Sequence, residues 1–106
     1  MVEPQPTEPE RFHPRVDANF MLKVLVGSRL LLAKAKDLSM AGVFLLGLGG
    51  RPGDLLTVSI PLPNDREIVT SARVCRVREQ GAAVEFDQLD WDDLCALARY
   101  LHPRLP

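Results

Sequence analysis

The chain turns at Asp37-Leu38-Ser39-Met40-Ala41-Gly42, a polar stretch between two apolar runs. Asp37 and Ser39 are two residues apart, so in an extended chain their side chains point to the same face of a sheet and can serve one ligand. Gly42 lacks a Cβ, which permits a positive φ or the close approach of a ligand to the backbone. The same residues also suit a turn in which an Asp or Ser side chain hydrogen-bonds its own backbone. Both interpretations, a ligand site and a capped turn, are open at this point.

Short apolar or alternating runs on both sides of this turn, separated by turn residues, predict six β-strands. A turn at Gly27 ends the first strand, which forms a hairpin with the second. Pro61 and Pro63 mark a loop, because proline cannot donate a hydrogen bond to a central ladder. The strands are expected at residues 19–26, 30–38, 42–46, 55–60, 68–77 and 81–86. We therefore predict an all-β (mainly β) fold, a six-stranded antiparallel barrel, whose closure leaves no edge strand.

A helix is expected at residues 90–102, with Asp90 as its cap. Apolar residues recur there at helical spacing and should pack as core across an open end of the barrel. This stripe consists of Trp91, Leu94, Cys95, Ala98 and Leu101.

Length and composition limit the classes of function. A chain of 106 residues suffices for one compact domain, and its net charge of −1 gives no general attraction to a nucleic acid polymer or an anionic membrane. Cys75 and Cys95 have no metal-ligand spacing, and neither a signal peptide nor a membrane-spanning apolar run is present. We expect a reduced, cytoplasmic protein without membrane insertion.

Residue patterns for catalysis are missing from the sequence. Residues 47–54 are rich in glycine, but no Lys-Ser or Lys-Thr follows them and the next element is a strand, which excludes a phosphate-binding loop. His13 and His102 lie at opposite ends of the chain, and no Ser/His pair or metal-ligand cluster is present. We expect no enzyme, no catalytic residue, no metal and no cofactor.

The N-terminal region supplies the second part of a possible site. Residues 1–10 are rich in proline and acid and predict a disordered tail, followed by one domain at residues 11–106. Arg11 and Arg15 are four residues apart on the arm that leads into the first strand. Two guanidinium groups on such an arm can make bidentate bonds to phosphate or to the O6/N7 edge of guanine.

An Arg-x-x-x-Arg arm, a hairpin and then Asp-x-Ser-x-x-Gly together resemble the PilZ domain, the bacterial receptor module for cyclic di-GMP. The resemblance extends over nearly the whole chain and implies a small barrel with a closing helix. It also implies roles for single residues. Arg11 and Arg15 grip guanine edges and phosphates, Asp37 accepts hydrogen bonds from the guanine base, Ser39 hydrogen-bonds the ligand beside it, and Gly42 keeps the surface open.

The resemblance implies a cyclic di-GMP receptor that orders its arginine arm on the ligand and signals through an unidentified downstream protein, in motility, adhesion or exopolysaccharide control. The alternative is a nucleotide-independent PilZ-type adaptor of pilus or motility machinery. Both motifs are intact, which favours the receptor. Glu10 stands where many members have a further arginine, which leaves the ligand stoichiometry open. The sequence also leaves open which arginine of the fifth strand region joins the site: Arg73, Arg76 or Arg78.

Overall fold

The computed structural model describes residues 14–104, which form a closed antiparallel barrel of six strands and one C-terminal helix. The predicted fold is confirmed. The expected tail at residues 1–10 and Arg11 lie outside the described residues. The elements are β1 (Val16–Val26), β2 (Arg29–Leu38), β3 (Gly42–Leu46), β4 (Leu55–Leu62), β5 (Arg66–Val77), β6 (Gly81–Phe86), α1 (Trp91–Leu101) and a 3-10 turn at His102–Arg104.

The strands follow the order β1-β2-β3-β6-β5-β4 around the barrel, and β4 closes on β1. Val24 of β1 lies opposite Val58 of β4, and Val43 of β3 lies opposite Val84 of β6. Every strand in the described part of the chain therefore pairs with a neighbouring strand on each side, and none of them is an edge strand.

Alternate residues of each strand point into the barrel and form one core with the helix. The pattern is clearest in β5, where every second residue from Ile68 to Val74 is buried and those between are exposed. The largest fully buried side chains are all aliphatic: Leu22, Leu38, Leu45, Ile60, Ile68, Leu97, Val24, Val58 and Val74. This alternation decides which side chains remain on the outer wall.

Strand β4 is longer than its prolines suggested and continues through Pro61 to Leu62. The β1–β4 ladder ends at Ser59, so Pro61 has a paired neighbour on one side only, where a sheet tolerates proline. Asn64 and Asp65 then adopt positive φ values of 65° and 59°. Two such residues make the tight hairpin turn that matches the twist of the flanking strands.

The helix is rotated relative to the predicted apolar stripe. Leu97 and Leu101 are its buried residues, whereas Trp91 is 75% exposed and Ala98 is exposed. The predicted placement of Trp91 and Ala98 in the core is wrong. Leu101 is buried as predicted, and Leu97 and Tyr100 pack on the core where the stripe had placed Ala98.

Two contacts with the barrel hold this orientation. The Tyr100 ring meets the ring of Phe20 in β1 edge to face, with 6.5 Å between centroids. Arg66 at the start of β5 pairs with Asp93 at 2.8 Å. Asp90 caps the helix as predicted, since its carboxylate accepts from the Asp93 backbone N–H at 2.8 Å. Within residues 14–104, no helix has the length and apolar character needed to cross a membrane.

Candidate functional site

Arg15 and Asp37 meet at the end of the barrel where β1 begins and β2 ends. The Arg15 Nη1 lies 3.9 Å from the Asp37 Oδ2, and 17% of the Asp37 side chain is exposed against 39% for Arg15. Two residues selected from separate motifs are thus neighbours in space. The pair presents one anionic and one cationic group at the surface, the combination that a ligand with both donors and phosphates requires.

The environment of the Asp37 carboxyl shifts its pKa. Burial raises its pKa above the usual value, while the charges of Arg15 and Lys36 act in the opposite direction. Asp17 lies directly opposite Asp37 on β1 and contributes to the increase in pKa by like-charge repulsion. The folded protein therefore keeps an acid here at a cost, and a partner that donates hydrogen bonds to it would relieve that cost.

The Asp37→Asn variant is expected to unfold at a higher urea concentration than the unsubstituted protein at neutral pH. Because folding raises the pKa of Asp37, the ionised carboxylate reduces the free energy of unfolding at pH values above that raised pKa. The cost is lost as pH falls through the raised pKa to the ordinary value of 3.8, so the two proteins should converge there. Urea titrations over a pH series measure the difference. A less stable Asn variant at neutral pH would show that the Arg15 ion pair outweighs burial.

The Ser39 hydroxyl hydrogen-bonds the backbone of its own turn. Its side chain accepts hydrogen bonds from the backbone N–H groups of Ala41 at 3.1 Å and Gly42 at 3.2 Å, and donates to the Gly42 carbonyl at 3.4 Å. Only 4% of the residue is exposed. β2 ends at Leu38, so strand alternation no longer applies at Ser39. For this hydroxyl the structure matches the capped turn, and a ligand contact by Ser39 stays a prediction.

Replacing Ser39 by alanine is expected to reduce the free energy of unfolding by about 1 to 3 kcal/mol, since it removes the acceptor for two partly buried N–H groups. Denaturant titration measures the loss. Ser71→Ala, at an exposed serine of β5, is the matched control and should change little. Equal stability of both variants would show that the turn does not depend on the hydroxyl.

Gly42 is required by the neighbouring strand. Its φ is not positive, in contrast to those of Gly27, Gly47, Gly50 and Gly53. A Cβ at Gly42 would overlap the backbone carbonyl of Val84 in β6. Of the two uses of a glycine considered for this position, a positive φ does not occur, and the missing side chain allows β3 to approach β6 closely.

Asp37 belongs to a row of outward-facing residues that crosses five strands. Asp17 lies opposite Asp37, Asp37 opposite Phe44, Phe44 opposite Ala83, and Ala83 opposite Arg76. At a strand spacing of about 4.8 Å, Arg76 lies about 14 Å from Asp37 along the wall. We call these five residues the outer row. Small Ala83 leaves the space between Phe44 and Arg76 open.

Three strand irregularities border the outer row. They occur in β1 between Asp17 and Phe20, in β2 between Ala35 and Asp37, and in β5 between Val74 and Arg76. An extra residue reverses the alternation, so Asp37 and Arg76 point outward although Ala35 and Val74 point inward. Such bulges are over-represented beside functional sites because they redirect side chains.

The three arginines of the fifth strand region differ in their position relative to the outer row. Arg76 shares the row with Asp37. Arg73 lies opposite Glu85 and pairs with Asp87 at 3.5 Å, and Arg78 follows the end of β5. Arg76 is therefore the best placed of the three to share a ligand with Asp37.

Sequence reasoning missed two side chains of this surface. The Lys36 ammonium lies 5.7 Å from the centroid of the Phe44 ring, so a cation and an aromatic face adjoin Asp37. Phe44 stands in a run of apolar residues, which indicated only a buried strand. The available signal was strand alternation: Val43 and Leu45 on either side are buried, so Phe44 between them faces outward.

The chain is thus a small β-barrel domain: a closed six-stranded barrel with one closing helix, carrying charged and aromatic side chains on its outer wall. Residues 9–102 match the family model of the PilZ domain, and the chain belongs to that family. PilZ domains are a cyclic di-GMP-binding fold family, and PilZ proteins are receptors or adaptors.

Two solved structures have the same fold. One is the Bacillus subtilis inhibitor of motility MotI/DgrA, with a TM-score of 0.76 and 22% identity over 94% of this chain. This chain spans about half of that protein, 51% of its length. The other is the PilZ domain of CeSA from a cellulose-synthesizing bacterium, with a TM-score of 0.67 and 17% identity, covering 84% of this chain and 95% of that one. A search of curated proteins found no match.

Proposed function

We propose that this protein is a cytoplasmic cyclic di-GMP receptor that binds the dinucleotide on the outer row, through Arg15 and Asp37, and acts on a protein partner instead of catalysing a reaction. The observation that carries this proposal is the 3.9 Å approach of Arg15 to Asp37, which unites the arginine arm with the acidic turn. Arg11 belongs to the same arm and is the second guanidinium of the proposed clamp.

Asp37 supplies the selectivity for guanine. Guanine offers two adjacent donors, N1–H and the N2 amino group, to a carboxylate, whereas adenine offers an acceptor at N1. Partial burial strengthens these bonds because little water competes at the Asp37 carboxylate. The raised pKa of Asp37 adds a pH dependence, since protonation removes the acceptor and affinity falls as pH decreases through that pKa.

Arg15, beside Asp37, and Arg76, at the β5 end of the outer row, supply the cationic groups. The guanidinium of Arg15 can exchange its ion pair with Asp37 for bidentate bonds to a guanine edge or a phosphate. The Phe44 ring and the small Ala83 between the arginines provide a flat surface for a purine. The distance of about 14 Å between Asp37 and Arg76 matches a ligand with two bases and two phosphates better than a single mononucleotide.

Ligand binding is coupled to output through the arm. The ligand stabilises the arm-closed state by its differential affinity for that state, which changes the surface that a partner meets. The fold is shared with an inhibitor of motility and with a PilZ domain of a cellulose synthase. Motility and exopolysaccharide control are accordingly the first outputs to test, with adhesion as the third.

Titration calorimetry with cyclic di-GMP, beside cyclic di-AMP and an Asp37→Ala variant, tests the proposal. We expect saturable heat with the guanine ligand, little with the adenine ligand and a large loss in the variant. The molar ratio gives the stoichiometry. No heat and no thermal shift with cyclic di-GMP would reject the receptor and leave the nucleotide-independent adaptor. The occupied hydroxyl of Ser39 favours that second candidate, because a ligand-free adaptor needs it only to cap the turn.

A further inference from the structure

The outer face of the β1–β2 hairpin is both apolar and basic. Four large apolar side chains on it are exposed by 41 to 68%: Leu25, Met21, Leu30 and Leu32. All three lysines of the chain, Lys23, Lys34 and Lys36, lie on the same face and are exposed. Residues 18–36 contain no Asp or Glu, in a chain whose net charge is −1.

The register makes these residues contiguous. Leu30 lies opposite Leu25, Leu32 opposite Lys23, and Lys34 opposite Met21. On the other side of β1, Leu25 faces Thr57 of β4, and Leu55, two residues away on the same face, is 63% exposed. We call this surface, formed by Met21, Lys23, Leu25, Leu30, Leu32, Lys34 and Leu55, the docking face.

Single exposed leucines on a surface are ordinary, but a connected group on one sheet face marks an interaction site. Lys23 decides what kind of partner fits. It has Leu32 opposite and Met21 and Leu25 two residues away along the strand, so any partner that covers the leucines also covers the ammonium. A covered cation is stable only beside an aligned carboxylate.

We propose that the docking face binds a protein partner through an acidic amphipathic segment, whose apolar side chains cover Leu30 and Leu32 and whose carboxylate pairs with Lys23. The proposal deepens the proposed function by assigning the surface for the downstream protein, and rests on it for the link to cyclic di-GMP. Asp37 follows Lys34 and Lys36 on β2, so ligand site and docking face are parts of one strand.

Two other occupants fit less well. A second copy of this chain in a two-fold contact would set Lys23 and Lys34 against the same lysines of the other copy, and residues 18–36 contain no carboxylate to pair with them. An anionic lipid surface is best met by cations around an apolar tip, whereas Lys23 lies among the apolar residues, away from the Gly27 turn. A folded or folding peptide can place one carboxylate at that point.

Selection of random peptides displayed on phage, with the unsubstituted protein as bait and Lys23→Glu as counter-selection, tests the proposal. We expect enriched peptides to combine spaced apolar residues with Asp or Glu. A synthetic copy of a selected peptide should bind the Lys23→Glu and Leu32→Ser variants at least about tenfold more weakly than it binds the unsubstituted protein. Trp91→Ser is the matched control at an apolar residue of α1, 75% exposed, and should retain binding.

Several outcomes would overturn the proposal: no enrichment, neutral or basic peptides, or equal binding by Lys23→Glu. Dimerisation that is lost in Leu32→Ser, measured by sedimentation, would assign the face to a second copy. Binding to phosphatidylglycerol vesicles that is lost in Lys23→Glu would assign it to lipid. Calorimetry of both variants with cyclic di-GMP separates this proposal from the receptor proposal, because neither residue belongs to the outer row and both should keep the ligand affinity.

Discussion

Replacing Arg15 by alanine is expected to weaken cyclic di-GMP binding by about 100-fold. Hydrogen bonds to charged groups contribute about 1.5 to 3 kcal/mol each, and a guanidinium can make two in parallel. A loss of about 2.8 kcal/mol corresponds to two powers of ten in affinity. The variant also leaves the partly buried Asp37 without this ion pair, so the ligand site loses its cation and the position of its acceptor. Calorimetry measures the affinity.

Two further variants make the test specific. Arg15→Lys retains the charge but not the planar fork, so binding should fall to an intermediate value if bidentate bonds matter. Arg51→Ala removes an exposed arginine from the loop between β3 and β4, at the other end of the barrel from Asp37, and should bind normally. Unchanged affinity in Arg15→Ala would remove the arm from the ligand site, whatever the outcome for Asp37.

Replacing Gly42 by alanine is expected to reduce the free energy of unfolding by about 3 to 5 kcal/mol. The new Cβ would overlap the backbone carbonyl of Val84, and a backbone group cannot move away as the end of a side chain can. β3 has only five residues, so a shift at its first residue disturbs its pairing with β6. Denaturant titration measures the loss.

Gly49→Ala is the control for Gly42→Ala, because a Cβ at Gly49 has no atom within 4 Å and the φ there is not positive. Its stability should change by less than about 1 kcal/mol. Gly81→Ala should behave like Gly42→Ala, since its Cβ would overlap the Leu45 carbonyl from the other strand. A folded Gly42→Ala protein of normal stability would mean that β3 and β6 can separate without cost.

The barrel could be predicted because its signal is local and repeated. Most strands are alternating runs bounded by turn residues, as in β5, and this pattern outweighs single exceptions such as Pro61. The pairing of Arg15 with Asp37 could be predicted only through the two motifs together, since the residues are far apart in the chain. Amino-acid composition alone predicts neither the barrel nor this pairing.

The outer row and the helix orientation could not be predicted because each depends on a shift of one residue. A bulge between Val74 and Arg76 leaves no mark in the sequence, yet it turns Arg76 to the surface. Likewise, an apolar stripe including Trp91 or one including Leu97 satisfies helical spacing equally well. The tertiary contacts of Tyr100 with Phe20 and of Asp93 with Arg66 select between them. For Ser39, the end of β2 at Leu38 decided the direction of the hydroxyl.

The closed strand order also has a kinetic consequence. The β1–β2 and β4–β5 hairpins join neighbouring segments and can form early, whereas Val24 must find Val58 and Val43 must find Val84 across long loops. Such non-local pairing places folding in the range of milliseconds to seconds, slower than for a helical domain of this size. Until the last ladder forms, β1 and β4 have open edges beside exposed leucines, so the newly made chain is most prone to aggregate before the barrel closes.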